Sequence, residues 1–93
     1  MITAIVMIDT ESDKIPEVAA AIADLEGVSE VYSVAGDVDL IAVVRVREFD
    51  AIAEVIAGRL SKVPGVVHTD THIAFRAYSQ HDLEATFSLG IEG

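Results

Sequence analysis

The chain has no cysteine, no tryptophan and no asparagine, only two prolines, and six lysines and arginines among its 93 residues. Without cysteine there is no disulfide framework, no thiolate nucleophile and no cysteine-based zinc site. The shortage of positive charge excludes as much. Sixteen acidic residues leave a formal net charge of −10, and such a field repels the phosphate backbone of a nucleic acid. The six cations, Lys14, Arg45, Arg47, Arg59, Lys62 and Arg76, are scattered along the sequence, with no stripe and no interleaved aromatics. Direct DNA or RNA binding is therefore not expected. No apolar run approaches the ~18 residues that span a bilayer. Residues 1–9 lack the basic segment of a secretory leader and go straight into a strand pattern, so the expected location is the cytoplasm. P-loop, dinucleotide fingerprint, His-Glu-x-x-His and Ser/His/Asp spacings are all missing. The residues thus point to a non-enzymatic protein with no cofactor.

What is abundant is aliphatic. Apolar residues make up 52% of the chain, high for a single domain of this size, which buries only part of its surface. Residues 2–8 are β-branched and apolar on both faces and read as a strand. Residues 14–25 read as a helix, with Ile15, Val18, Ala19, Ile22 and Leu25 at three- and four-residue spacing. Pro16 belongs in its first turn, and Gly27 ends it where a left-handed residue is needed. Residues 28–34 and 40–46 form two strands joined by a short turn, hence an antiparallel hairpin. Residues 48–60 form a second helix with Phe49, Ile52, Val55, Ile56 and Leu60 facing inward, closed by Pro64 and Gly65. Residues 66–75 form a fourth strand. The domain is placed at 1–77. The tail, 78–93, has apolar residues enough for one short helix.

A weak internal repeat supports this order. Leu25-Glu26-Gly27-Val28 matches Val63-Pro64-Gly65-Val66 at an offset of 38 residues (65 − 27). Val18 and Ile22 match Ile56 and Leu60 at the same offset. Two such βαβ halves interleave into an α+β, ferredoxin-like βαββαβ sandwich. The predicted sheet order is 4-1-3-2, with both helices on one face. Strands one and three then sit in the centre with aliphatic residues on both sides. The uncovered face is expected to pack against the same face of a second copy. At ~25 cal/mol per Å^2, a few hundred Å^2 of bare aliphatic sheet would cost several kcal/mol in a monomer.

Three groups of residues could carry chemistry. In the hairpin turn, Gly36 can take positive φ and let a ligand approach the backbone. Neighbouring N–H groups can cradle a carboxylate, and Asp37 or Asp39 could pair with an ammonium. An amino acid offers both charges on one carbon, although glycine and aspartate also suit a plain turn. His68, Asp70 and His72 alternate along strand four and share a face, but the two histidines lie roughly 13 Å apart on a strand, too far for one ion. No metal is expected. Polar residues there blunt an edge strand. Thr69 and Thr71 share the opposite face, where hydroxyls could line a pocket or the β-branched side chains simply suit a strand. Arg45, in an otherwise apolar strand, requires an ion-pair partner.

The stretch Val34-Ala35-Gly36-Asp37-Val38-Asp39-Leu40 resembles the Gly-x-x-Asp signature of the Lrp/AsnC family of feast/famine transcription regulators. Phe49-Asp50-Ala51-Ile52, Pro64-Gly65-Val66 and Thr69-Asp70-Thr71-His72-Ile73 fit in the same order and spacing, over residues 2–77. The resemblance implies a C-terminal effector-binding domain. Its sheets would pair face to face as dimers, the dimers would join into octamer or decamer rings, and amino-acid effectors would bind between dimers near the hairpin. By matching position it implies Gly36, Asp37, Val38 and Asp39 as ligand contacts, with Thr69 and Thr71 as secondary candidates. Family members begin with a helix-turn-helix domain, whereas this sequence starts at the first strand of the effector domain. A stand-alone module that modulates full-length relatives by mixed assembly is the expectation. Two alternatives share the strand–helix order. An ACT-type amino-acid sensor would want a glycine in the loop after strand one, where residues 9–13 have none. A small dimeric α/β-barrel enzyme of the cofactor-free monooxygenase type would want a roomy cleft with convergent His, Asn or aromatic groups.

Overall fold

The computed structural model describes residues 1–79. The short helix expected in the tail lies outside the described residues. The elements follow the order β1 (Ile2–Thr10), α1 (Ile15–Ala23), β2 (Val28–Ser33), β3 (Leu40–Val46), α2 (Phe49–Gly58), a 3-10 turn (Leu60–Lys62) and β4 (Val66–Ala74). The four strands form one antiparallel sheet in the order β2-β3-β1-β4. This is the ferredoxin-like arrangement that the repeat predicts.

The alternation of side chains along the strands sorts them onto two faces. Ala4, Val6 and Ile8 of β1 and Leu40, Ala42, Val44 and Val46 of β3 are buried with Val18 and Ile22 of α1 and Ile52, Val55 and Ile56 of α2. The helices therefore cover one face only. On the other face Ile5, Met7, Ile41 and Val43 are partly open to solvent.

The internal repeat is visible in the backbone. The Leu25 N–H donates to the Ile22 carbonyl at 3.0 Å and the Val28 N–H to that of Leu25 at 3.1 Å. Thirty-eight residues on, Val63 donates to Leu60 and Val66 to Val63, both at 3.1 Å. Gly27 and Gly65 have φ of +96° and +99°, in the region that disfavours any side chain. Each lies against a helix. A Cβ on Gly27 would sit 2.9 Å from Val55 Cγ2, and one on Gly65 would sit 2.6 Å from Val18 Cγ2.

Two expectations need correction. Phe49 does not face inward: it is 63% exposed. It is the first residue of α2, three positions past the end of β3 at Val46, and packing on the core begins after it, at Ala51 and Ile52. The second helix is also shorter than residues 48–60, since α2 stops at Gly58 and the chain tightens into the 3-10 turn that buries Leu60. Two bulges break the ladders. Thr10 pairs with Val66 and Asp9 with His68, which leaves Val67 as the extra residue, exposed at 66%. In β2, Ser29 is the extra residue between the Val28↔Val44 and Glu30↔Val43 pairs.

Candidate functional site: the hairpin and the open sheet face

The β2–β3 hairpin closes with the Val34 N–H donating to the Asp39 carbonyl at 3.1 Å. Gly36, at its tip, has φ +143°, and no atom lies within 4 Å of where its Cβ would be. Its backbone is thus open to close approach from outside. Asp37 is exposed and Val38 is half-buried.

Asp39 does different work. Its N–H donates to the Ile8 carbonyl at 3.1 Å, and its carboxylate Oδ2 accepts the Thr10 N–H at 2.9 Å. Thr10 is buried and lies two residues past Ile8, where the β1–β3 pairing ends at Leu40, and the carboxylate satisfies the donor left over on that side. Asp39 therefore ties the turn to the end of β1, 29 residues away in sequence.

Thr69 and Thr71 are half-buried on the helix-covered side, opposite Ile8 and Val6. Thr69 stands level with the hairpin end of the sheet, but β1 lies between it and β3, so its backbone is roughly 10 Å from that of Leu40. The structure brings Gly36, Asp37, Val38 and Asp39 together and leaves the two threonines apart from them.

His68, Asp70 and His72 face the open side, opposite Asp9, Met7 and Ile5. His72 Nε2 is 3.3 Å from Asp70 Oδ2. Among the described residues no group of three or more His, Cys, Asp or Glu side chains converges as metal ligands would. At the other margin of this face the Ser29 bulge presents its hydroxyl to Arg45 Nη1 at 2.9 Å, and Glu30 Oε1 lies 3.6 Å from the same nitrogen. That supplies the partner Arg45 required. The Tyr32 hydroxyl donates to Glu30 Oε2. This hydrogen bond, with the negative charge behind it, raises the Tyr32 pKa above its ordinary value. The open face thus has an aliphatic centre, Ile5, Met7, Ile41 and Val43, between two polar margins on the β2 and β4 sides.

Against known proteins, the Lrp/AsnC ligand binding domain matches residues 3–83. The chain belongs to the Lrp/AsnC family. The HTH-type transcriptional regulator LrpA of Pyrococcus horikoshii is 34% identical over 59 residues, covering 63% of this chain and 42% of that protein. This Lrp/AsnC chain therefore spans well under half the length of the curated relatives it matches. Among solved structures, TTHA0845 of Thermus thermophilus superposes with a TM-score of 0.80 at 40% identity, over 86% of this chain and 100% of that one. A feast or famine regulatory protein of M. tuberculosis, complexed with L-methionine, superposes at 0.67 with 27% identity, over 86% of this chain and 54% of that one. The relatives are transcription regulators. Among the described residues no helix is long and apolar enough to cross a membrane.

Two features of this Lrp/AsnC domain escape a reading of the sequence. Asp39 reads there as a ligand contact or a plain turn residue, because the long-range hydrogen bond to Thr10 leaves no local signal. The basic residues read as scattered. Three of the six, Arg45, Arg47 and Arg59, line one cleft of about 380 Å^3 at the end of the sheet opposite the hairpin, and Arg76 joins Arg45 in the neighbouring one. No spacing rule links positions 45, 47, 59 and 76. The antiparallel return of β4 and the rise of α2 over β3 bring them together.

Proposed function

We propose that this chain is a non-enzymatic, cytoplasmic module that binds a small effector, an amino acid, and assembles with copies of itself through the open sheet face. The observation that carries the reading is the hairpin tip, where an unobstructed Gly36 backbone lies beside the exposed Asp37 carboxylate. The N–H groups of the turn suit an α-carboxylate, and Asp37 suits an α-ammonium. Asp39 keeps the turn in place from β1, and Val38 offers apolar contact to an effector side chain. Thr69 and Thr71 would reach an effector only across a subunit junction. The relative solved with L-methionine supports this class of ligand. Aliphatic residues between polar margins have the anatomy of an oligomer interface, which supports dimers that join into larger rings. Full-length Lrp/AsnC regulators share the same domain, so mixed assembly with them is the proposed route to transcriptional control.

The test is isothermal calorimetry and thermal shift with each of the twenty amino acids, on the wild type and on Asp37→Ala. One amino acid raising the melting temperature, with about tenfold weaker binding in Asp37→Ala, is the expected result. Binding that Asp37→Ala leaves unchanged removes the hairpin from the site.

A further inference from the structure

We propose that the arginine-lined cleft at the end of the sheet opposite the hairpin is a second ligand site. Its ligand is a small organic anion with one carboxylate or phosphate and at least one hydroxyl or ammonium donor.

The first argument is charge. In a chain of net charge −10 with six lysines and arginines, three arginines line this single cleft. Arg45 projects from β3, Arg47 follows the strand, and Arg59 follows α2. Their convergence is a product of the fold and not of local sequence. The second argument is availability. Arg47 is exposed and its side chain has no ion pair or hydrogen bond among the described residues. Arg59 meets Glu54 at 3.4 Å, a loose contact between exposed groups that is worth little in water. Arg45 is held by Ser29 and Glu30 through Nη1 and borders the cleft with its backbone, whose N–H donates to the Gly27 carbonyl, so Arg47 and Arg59 are the groups that would turn to a ligand. The third argument is the opposite wall. Glu26 and Glu54 also line the cleft, so it offers acceptors beside its donors. Arginines and two glutamates in one lining suit a ligand that is anionic at one end and a hydrogen-bond donor at the other. A bare dianion meets repulsion from the glutamates. The volume of about 380 Å^3 lies at the small end for ligand sites. Gly27 forms part of the lining, where a side chain would strike Val55, so the wall is fixed by packing.

Inorganic phosphate, glycerol 3-phosphate and L-aspartate are the probes, titrated into the 15N-labelled full chain up to about 10 mM, past the range of weak specific binding. Saturable amide shifts are expected at Arg45, Val46, Arg47 and Ala51 with glycerol 3-phosphate, L-aspartate or both, and these two arms separate a phosphate ligand from a carboxylate one. Arg47→Gln is expected to weaken the effect about tenfold, and Lys62→Gln, an equal change of charge outside the cleft, to leave it in place. Glu26→Gln is expected to narrow the gap between the organic anions and inorganic phosphate. No saturable shift there with any probe overturns the proposal, as does an equal loss in Arg47→Gln and Lys62→Gln. L-Aspartate shifts confined to residues 36–39 would keep the hairpin reading and remove this one, so the two fail separately.

Discussion

At the scale of single residues, the turn is organised by one carboxylate. Asp39 accepts the Thr10 N–H at 2.9 Å, where β1 runs on past its last β3 partner at the Ile8↔Leu40 pair and that donor has no β3 carbonyl opposite it. Asp39→Ala would strand a part-buried N–H, and the expected loss is about 1–3 kcal/mol of stability, read as a lower urea midpoint. Asp39→Asn keeps an acceptor oxygen and is expected to lose less. Equal stability in all three proteins would mean that water serves Thr10 as well as the carboxylate does. A second residue-scale effect lies at Tyr32. Its hydroxyl donates to Glu30, and the cost of placing a phenolate beside that carboxylate raises its pKa from the ordinary 10.0. Because the folded value is the higher one, any stability from this contact is fully present below the ordinary tyrosine range and is lost as pH rises through the raised value. Glu30→Gln should bring the Tyr32 titration, followed by ultraviolet difference absorbance, back toward the ordinary tyrosine value. An unmoved Tyr32 curve would show that Glu30 is not the cause.

At the scale of elements, the paired glycines show what sequence can and cannot reveal. The matched Gly27 and Gly65 motifs were legible as a repeat, and with the two aliphatic periodicities they were enough to derive strand order and helix placement. Periods of 2 and 3.6 are local properties, so they survive in the sequence. Why the two glycines are required was only half legible. Their positive φ follows from ending a helix, but their contacts with Val55 and Val18 belong to tertiary packing. Phe49 shows the converse: it continues the helical stripe, yet packing on the core begins only after it, and periodicity carries no information about where packing begins. The site divided in the same way. The Gly36 turn was visible as a motif, whereas the Asp39–Thr10 bond and the arginine cleft depend on contacts between distant positions. Gly65→Ala tests the packing role. The new methyl would meet Val18 Cγ2 at 2.6 Å at a φ of +99°, and the expected loss is about 1–3 kcal/mol. Gly58→Ala is the control, since its Cβ would meet only Glu54 Cγ at 3.9 Å in the last turn of α2. A gain of about 0.5 kcal/mol is expected there. If both variants lost the same amount in thermal denaturation, close packing at Gly65 would not be the reason for its glycine.

At the scale of the whole molecule, the two faces of one sheet have different fates. The helix side buries Ala4, Val6, Ile8, Leu40, Ala42 and Val44 completely. The other side leaves Ile5, Met7, Ile41 and Val43 partly exposed in the two central strands, where no element of the described chain covers them. A central-strand face with four large aliphatic or thioether side chains is costly to keep in water. Polar and charged residues stand at its margins, as His72 and Asp70 on β4 and as Arg45, from the end of β3, with Glu30 on β2. There they can set the register of a partner without being desolvated. Assembly through this face would bury Val43, which stands on the central strand β3 beside Ile5 of β1. Val43→Asp would then bury an unpaired carboxylate twice in a symmetric dimer, at several kcal/mol. In a monomer the same residue would face solvent at little cost, so the substitution separates association from folding. The expected result is a wild type larger than a monomer by light scattering after size exclusion, and a Val43→Asp variant that runs as a monomer with an unchanged far-ultraviolet circular dichroism spectrum. A variant that stays fully assembled would move the interface to another surface. The hairpin and the cleft would then have to be tested against that new contact, because both lie at the ends of the same sheet.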